Sequence, residues 1–106
     1  MKHEVYQSYS LTVVMAGDVE QAKTVLRRYC YDIGFCVTVE PTVYIYTGGE
    51  EAGVRVGIIN YPRFPAEPEK LWEHAIKIAD TMREALCQHS YSIIGPDKTV
   101  WSSVRT

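Results

Sequence analysis

Two adjacent carboxylates, Glu50 and Glu51, follow a Gly-Gly pair and come shortly after Tyr44 and Tyr46. A carboxylate held near the faces of aromatic rings attracts a poorly solvated cation, through direct charge attraction and through the negative ring face. Whether these side chains can act together depends on the strands that carry them. Residues 42–59, TVYIYTGGEEAGVRVGII, place two β-branched and aromatic runs on either side of the glycines, which reads as a hairpin.

The pleat determines which side chains share a face. In the first run the odd-numbered Phe35, Val37, Val39, Val43 and Ile45 are apolar, whereas in the second the even-numbered Val54, Val56 and Ile58 are. Cross-strand partners share a face, so odd must pair with even and the loop must hold two or four residues. With Gly48-Gly49 as a two-residue turn, Glu51 is expected opposite Tyr46. The face turned away from the helices then carries Thr38, Glu40, Thr42, Tyr44, Tyr46, Glu51, Gly53, Arg55 and Gly57. Tyrosines where a wet surface would favour lysine and glutamate suggest a face that meets a ligand or partner. The simpler account is that surface tyrosines satisfy β-propensity and a Glu-Glu pair at a hairpin tip is solvated charge.

The elements that must hold this hairpin are legible from periodicity. YSLTVVM (9–15) alternates as a strand buried on one face, and Asp18 can cap a following helix carrying Val19, Ala22, Val25, Leu26, Tyr29 and Cys30 at helical spacing. Gly34 sits where a left-handed residue ends a helix. Pro41 marks an edge position or a bulge. NYPRFPAEPE (60–69) is a stiff connection whose Pro68 can open a second helix, running from Glu69 to about His89 with Trp72 and Met82 in its apolar stripe. YSII, a GPD turn and TVW follow. The order β-α-β-β-α-β, with an extra strand at the end, predicts an α+β ferredoxin-like sandwich: one antiparallel sheet with both helices on one face, over a single domain 1–106.

Composition narrows the function. A net charge of −2 argues against a nucleic-acid surface, and the second hairpin strand lacks the aromatic and basic pattern that stacks bases on an open sheet. No membrane span or signal peptide is suggested, so the cytoplasm is expected. Cys30, Cys36 and Cys87 form no C-x-x-C arrangement, which points to reduced thiols, with Cys87 as a buried structural one. His3, His74 and His89 fall at no ligand spacing, so no metal is expected, and His74 and His89 are read as solvent-facing or capping residues. No phosphate-binding glycine loop is present.

GGEEAGVRV (48–56) resembles the E-E-x-x-V-R-V stretch of the small phage enzymes that destroy S-adenosylmethionine, the SAM lyases formerly called SAM hydrolases. Upstream, GFCVTVEPT (34–42) is similar to a strand of that family, with Val39-Glu40 in register. The resemblance spans roughly Gly34 to Ile94. It implies a PII- or CutA-like trimeric ferredoxin-like fold and a phage protein acting in the host cytoplasm. It further implies a lyase that releases methylthioadenosine and homoserine lactone at an inter-subunit site, with S-adenosylmethionine as substrate and no cofactor. The residues implied are Glu51 and Tyr46 as catalytic, with Tyr44 as the fallback tyrosine, and Glu50, Tyr44 and Arg55 as substrate-binding. The interval between Val39-Glu40 and the glutamate pair is shorter here than in the family, so Tyr46 is chosen by its expected place opposite Glu51. A non-catalytic PII- or CutA-like trimer that binds a small ligand, or only assembles, is the alternative.

Overall fold

A computed structural model describes residues 1–63 and 65–105; Phe64, within the expected stiff connection, lies outside the described residues. The element order is β1 (Ser10–Ala16), α1 (Val19–Ile33), β2 (Thr38–Tyr46), β3 (Gly49–Ile59), α2 (Pro68–Ala85), β4 (Ser90–Ile94) and β5 (Thr99–Ser103). The strands form one sheet in the order β2-β3-β1-β4-β5 with every neighbouring pair antiparallel. The first four strands and two helices make the expected ferredoxin-like sandwich, and TVW becomes a fifth strand that extends one edge.

Alternation decides which face is covered. Leu11, Val13 and Met15 of β1 and Val54, Val56 and Ile58 of β3 are buried, and they pack with Leu26 of α1 and Leu71, Ile78 and Met82 of α2. Burying such side chains stabilises by about 1.5–3 kcal/mol each relative to exposure, so this layer pins the register of the sheet. Asp18 caps α1 by accepting from the Gln21 N–H at 2.9 Å. Gly34, at φ 75°, ends it by donating its N–H to the Cys30 carbonyl. Pro68 opens α2 as expected, and Asn60 braces the connection by bonding both Gln7 and Ala66.

Several expectations require correction. α2 ends at Ala85 rather than near His89, and Cys87, instead of being a buried thiol, is exposed in a left-handed turn conformation. Trp72 is only partly buried, packed against the core with its indole N–H donating to the Tyr9 hydroxyl. β3 begins at Gly49, five residues before the apolar run that suggested it, so the hairpin outruns the helices. Val43 and Ile45, expected in the core, are 56% and 82% exposed on this overhang. The overhang helps make the molecule elongated, 51 × 29 × 26 Å.

Candidate functional site on the open sheet face

The hairpin turn is Thr47-Gly48, not Gly48-Gly49. Gly48 has φ 93° and Thr47 has no positive φ, so a single left-handed residue at the second turn position suffices. Moving the turn by one residue shifts the pairing by two, which preserves the face of every side chain and changes each partner. Glu51 therefore lies opposite Tyr44, and Tyr46 lies opposite Gly49.

The open face reads as rows across the sheet. One row is Glu40, Arg55, Val14, Ser92 and Trp101; the next begins Thr42, Gly53 and Ala16; Tyr44 and Glu51 follow toward the tip. The rings need the glycines. A Cβ on Gly53 would run into the Tyr44 ring and lie 2.9 Å from the Met15 carbonyl, and one on Gly49 would stand 3.4 Å from the Tyr46 ring. Tyr44 thus lies flat across Gly53 toward β1, the close approach that a side-chain-free position permits.

That placement buries the Tyr44 hydroxyl. It is the buried side-chain polar atom without a hydrogen-bond partner among the described residues. Burial pushes its pKa above the usual phenol value and Glu51 adds to the rise, while the Arg55 charge and a hydrogen-bonding approach of the Met15 backbone pull it down, an approach that falls short of full hydrogen-bond geometry. Leaving such a hydroxyl unpaired costs about 1–3 kcal/mol, so its persistence in a well-packed sheet calls for an explanation.

Tyr44 and Glu51 line one wall of a depression of about 740 Å³. Its floor is Val14 and Ala16, and its far side is built from His89, Ser90, Ser92, Trp101, Ser103 and Arg105. The acidic wall and the cationic Arg105 give opposite charge at two ends of a cavity with an aromatic ring beside each end, an arrangement able to orient a ligand bearing both charges and a flat ring.

Of the residues singled out from sequence, Glu51 and Tyr44 meet at this site. Tyr46 does not: its ring covers Gly49 nearer the tip and is 55% exposed, so the ground for choosing it, a place opposite Glu51, belongs to Tyr44 instead. Glu50 does not either, because strand alternation turns it to the other face, opposite Ile45. Arg55 lies outside the depression, its Nε 3.9 Å from Glu40 Oε1, and acts on Tyr44 only through its charge. Trp101, His89 and Arg105 were not identified as site residues; the available signal was the parity of β5, which puts Trp101 in the row of Arg55. Among the described residues no group of three metal-ligating side chains occurs, and no helix is long and apolar enough to cross a membrane.

A second cluster sits on the helix side. The Tyr29 hydroxyl and His74 Nδ1 are 2.7 Å apart, and the His74 ring stacks on Phe35 at 4.3 Å. His74 is therefore neither solvent-facing nor a cap. Burial draws its pKa below the ordinary imidazole value, helped by Lys70 and Lys77 and opposed by Glu73.

No family model and no curated protein matches this sequence. Solved structures do match in shape. A phage SAM lyase in its apo state superposes with TM-score 0.74 at 15% identity, over 100% of this chain and 98% of that one. The chain shares its fold with phage SAM lyase. A second structure, a phage SAM lyase in complex with S-methyl-5'-thioadenosine, gives TM-score 0.63 at 14% identity, over 98% and 95% of the two chains. At these identities the likeness establishes the fold, over essentially the whole length of both proteins.

Proposed function

We propose that this protein is a lyase that cleaves S-adenosylmethionine into methylthioadenosine and homoserine lactone. The observation that carries the proposal is the cross-strand placement of Glu51 opposite Tyr44, both of them lining the open-face depression. The shared fold with a phage SAM lyase and with its complex with S-methyl-5'-thioadenosine supports the substrate class.

In this reaction a carboxylate oxygen of the substrate attacks the γ-carbon of its own methionine chain. The bond from that carbon to sulfur breaks, and its electron pair neutralises the sulfonium. No proton is transferred and no water enters, so the protein needs neither a general base nor an activated nucleophile. Two opposite charges disappear along the path, so surroundings drier than bulk water favour the transition state over the solvated substrate. The remaining task is to fold the chain into a near-attack geometry, and positioning of this kind is worth up to about 7–11 kcal/mol.

Glu51 holds the cationic part of the substrate; at about 4 Å and surface-like screening such an attraction amounts to roughly 4 kcal/mol. The Tyr44 ring is the wall against which the chain is fixed, the positioning part first expected of Tyr46, and its covered hydroxyl reaches the substrate once the side chain shifts. Tyr46, Glu50 and Arg55 then stand outside the protomer's own cavity. Glu50 and the uncovered Val43 and Ile45 share the other face of the overhang, where they suit an interface between subunits, in keeping with a homotrimer and a site completed by a neighbour. The same exposed apolar pair favours the second reading, a non-catalytic PII- or CutA-like module in which the hairpin serves assembly alone. Incubation with S-adenosylmethionine separates the two. The lyase releases methylthioadenosine and homoserine lactone in equal amounts, and the assembly module leaves the substrate intact.

A further inference from the structure

The molecule has two tryptophans in opposite circumstances. Trp72 is committed to the fold: its indole N–H donates to the Tyr9 hydroxyl at 3.0 Å, and the Lys98 ammonium lies over its ring at 5.1 Å. Trp101 is 66% exposed and has no hydrogen bond or ring partner among the described residues. Its cross-strand partner is Ser92, so no large side chain covers the indole from the neighbouring strand. A large ring left bare beside a serine strip on the open face of the edge strand forgoes the burial that usually fixes tryptophan in place.

The position of that ring relates it to Tyr44 and Glu51. All three line the same depression. Three strand spacings, about 14 Å, separate β5 from β3, so an indole and a carboxylate reaching in from opposite sides leave a gap of molecular rather than atomic size. Ser90, Ser92 and Ser103 supply hydroxyls, each able to donate and to accept, along the strip beside the indole.

We infer that Trp101 is the platform on which the adenine ring of the substrate stacks, with the serine hydroxyls of β4 and β5 meeting its polar edge. The inference rests on the lyase reading for the identity of the ligand and assigns Trp101 as the residue that selects a purine at the far end from the reacting carbon. Stacking on the indole holds the substrate equally before and during bond cleavage, so it acts on affinity and leaves the chemical step alone.

The test compares wild type, Trp101→Ala and Trp101→Phe by titration with methylthioadenosine in a calorimeter and by turnover of S-adenosylmethionine, with size-exclusion light scattering as the control for assembly. Base–aromatic stacking energies translate into a loss of about tenfold or more in methylthioadenosine affinity for Trp101→Ala, with KM raised in parallel and kcat within about twofold. Trp101→Phe restores most of the affinity, and all three proteins have the same mass in solution. Unchanged affinity in Trp101→Ala, or a change of mass that marks Trp101 as an interface residue, overturns the inference while leaving an active lyase intact. A wild type that binds methylthioadenosine without cleaving S-adenosylmethionine ends the lyase reading, and the alanine variant still decides the role of Trp101. A wild type that does neither overturns both.

Discussion

Tyr44 and Tyr29 carry the same hydroxyl, and burial raises the pKa of both. The protein supplies a partner to one and not the other. Tyr29 meets His74 across the two helices at 2.7 Å, and the Tyr91 hydroxyl donates a hydrogen bond to Asp80 at 2.6 Å. These are side chains whose polar ends have been settled within the fold. Tyr44 is held just as firmly, by a ring laid over Gly53 beside the cavity, but its covered hydroxyl meets no partner at full hydrogen-bond geometry. The contrast separates a bond that maintains structure from a covered hydroxyl that the fold leaves without one.

The strongest disruption of the contrast is Gly53→Val. The new side chain occupies the space of the Tyr44 ring and presses on the Met15 carbonyl, so overpacking costs about 1–3 kcal/mol in a urea melt. Displacement of the ring also removes turnover at least as thoroughly as losing the hydroxyl. Tyr44→Phe isolates the hydroxyl itself. S-Adenosylmethionine turnover falls about 10- to 100-fold, the worth of a hydrogen bond to a charged ligand, while the urea midpoint stays level or rises because an unpaired buried group has gone. A large loss of stability with full activity would reverse the roles assigned to the two tyrosines. Tyr29→Phe gives the opposite pattern: about 1 kcal/mol less stability in the same melt and unaltered turnover.

The smallest effect is on pH. The folded pKa of His74 lies below the ordinary value of 6.5, so on acidification the unfolded chain takes up this proton first. The stability associated with neutral His74 is present above about pH 6.5 and is lost as pH falls through the folded pKa. Urea midpoints measured from pH 7.5 to pH 5 decline less steeply in His74→Phe than in wild type.

Much of the scaffold was legible because it depends on local rules. Asp18 and Gly34 bracket α1 through their own backbone and side-chain chemistry, and the strand faces follow from a period of two that survives a register shift of two. The turn was not legible in the same way. Gly48 and Gly49 both tolerate positive φ, and only the assembled pair reveals that one left-handed residue is enough, which exchanged Tyr46 for Tyr44 opposite Glu51. The bareness of the Tyr44 hydroxyl was beyond sequence reasoning, since it depends on Gly53 beneath the ring and on β1 beside it. His74 escaped for a related reason: its partners, Tyr29 and Phe35, come from elements far away in the chain. Val43 and Ile45 obey the right period and are exposed nonetheless, because periodicity assigns a face and says nothing of whether a helix extends far enough to cover it.

The carboxylate across from Tyr44 holds the substrate in the proposed reaction, and product analysis of wild type and Glu51→Gln with S-adenosylmethionine tests that role most directly. Glu51 is exposed on the strand, so the substitution keeps the fold by circular dichroism. Equimolar methylthioadenosine and homoserine lactone are expected from wild type, with kcat/KM lower by about a hundredfold or more in the variant, the loss of a charge attraction of up to roughly 4 kcal/mol on the bound substrate. Equal rates from the two proteins would contradict it.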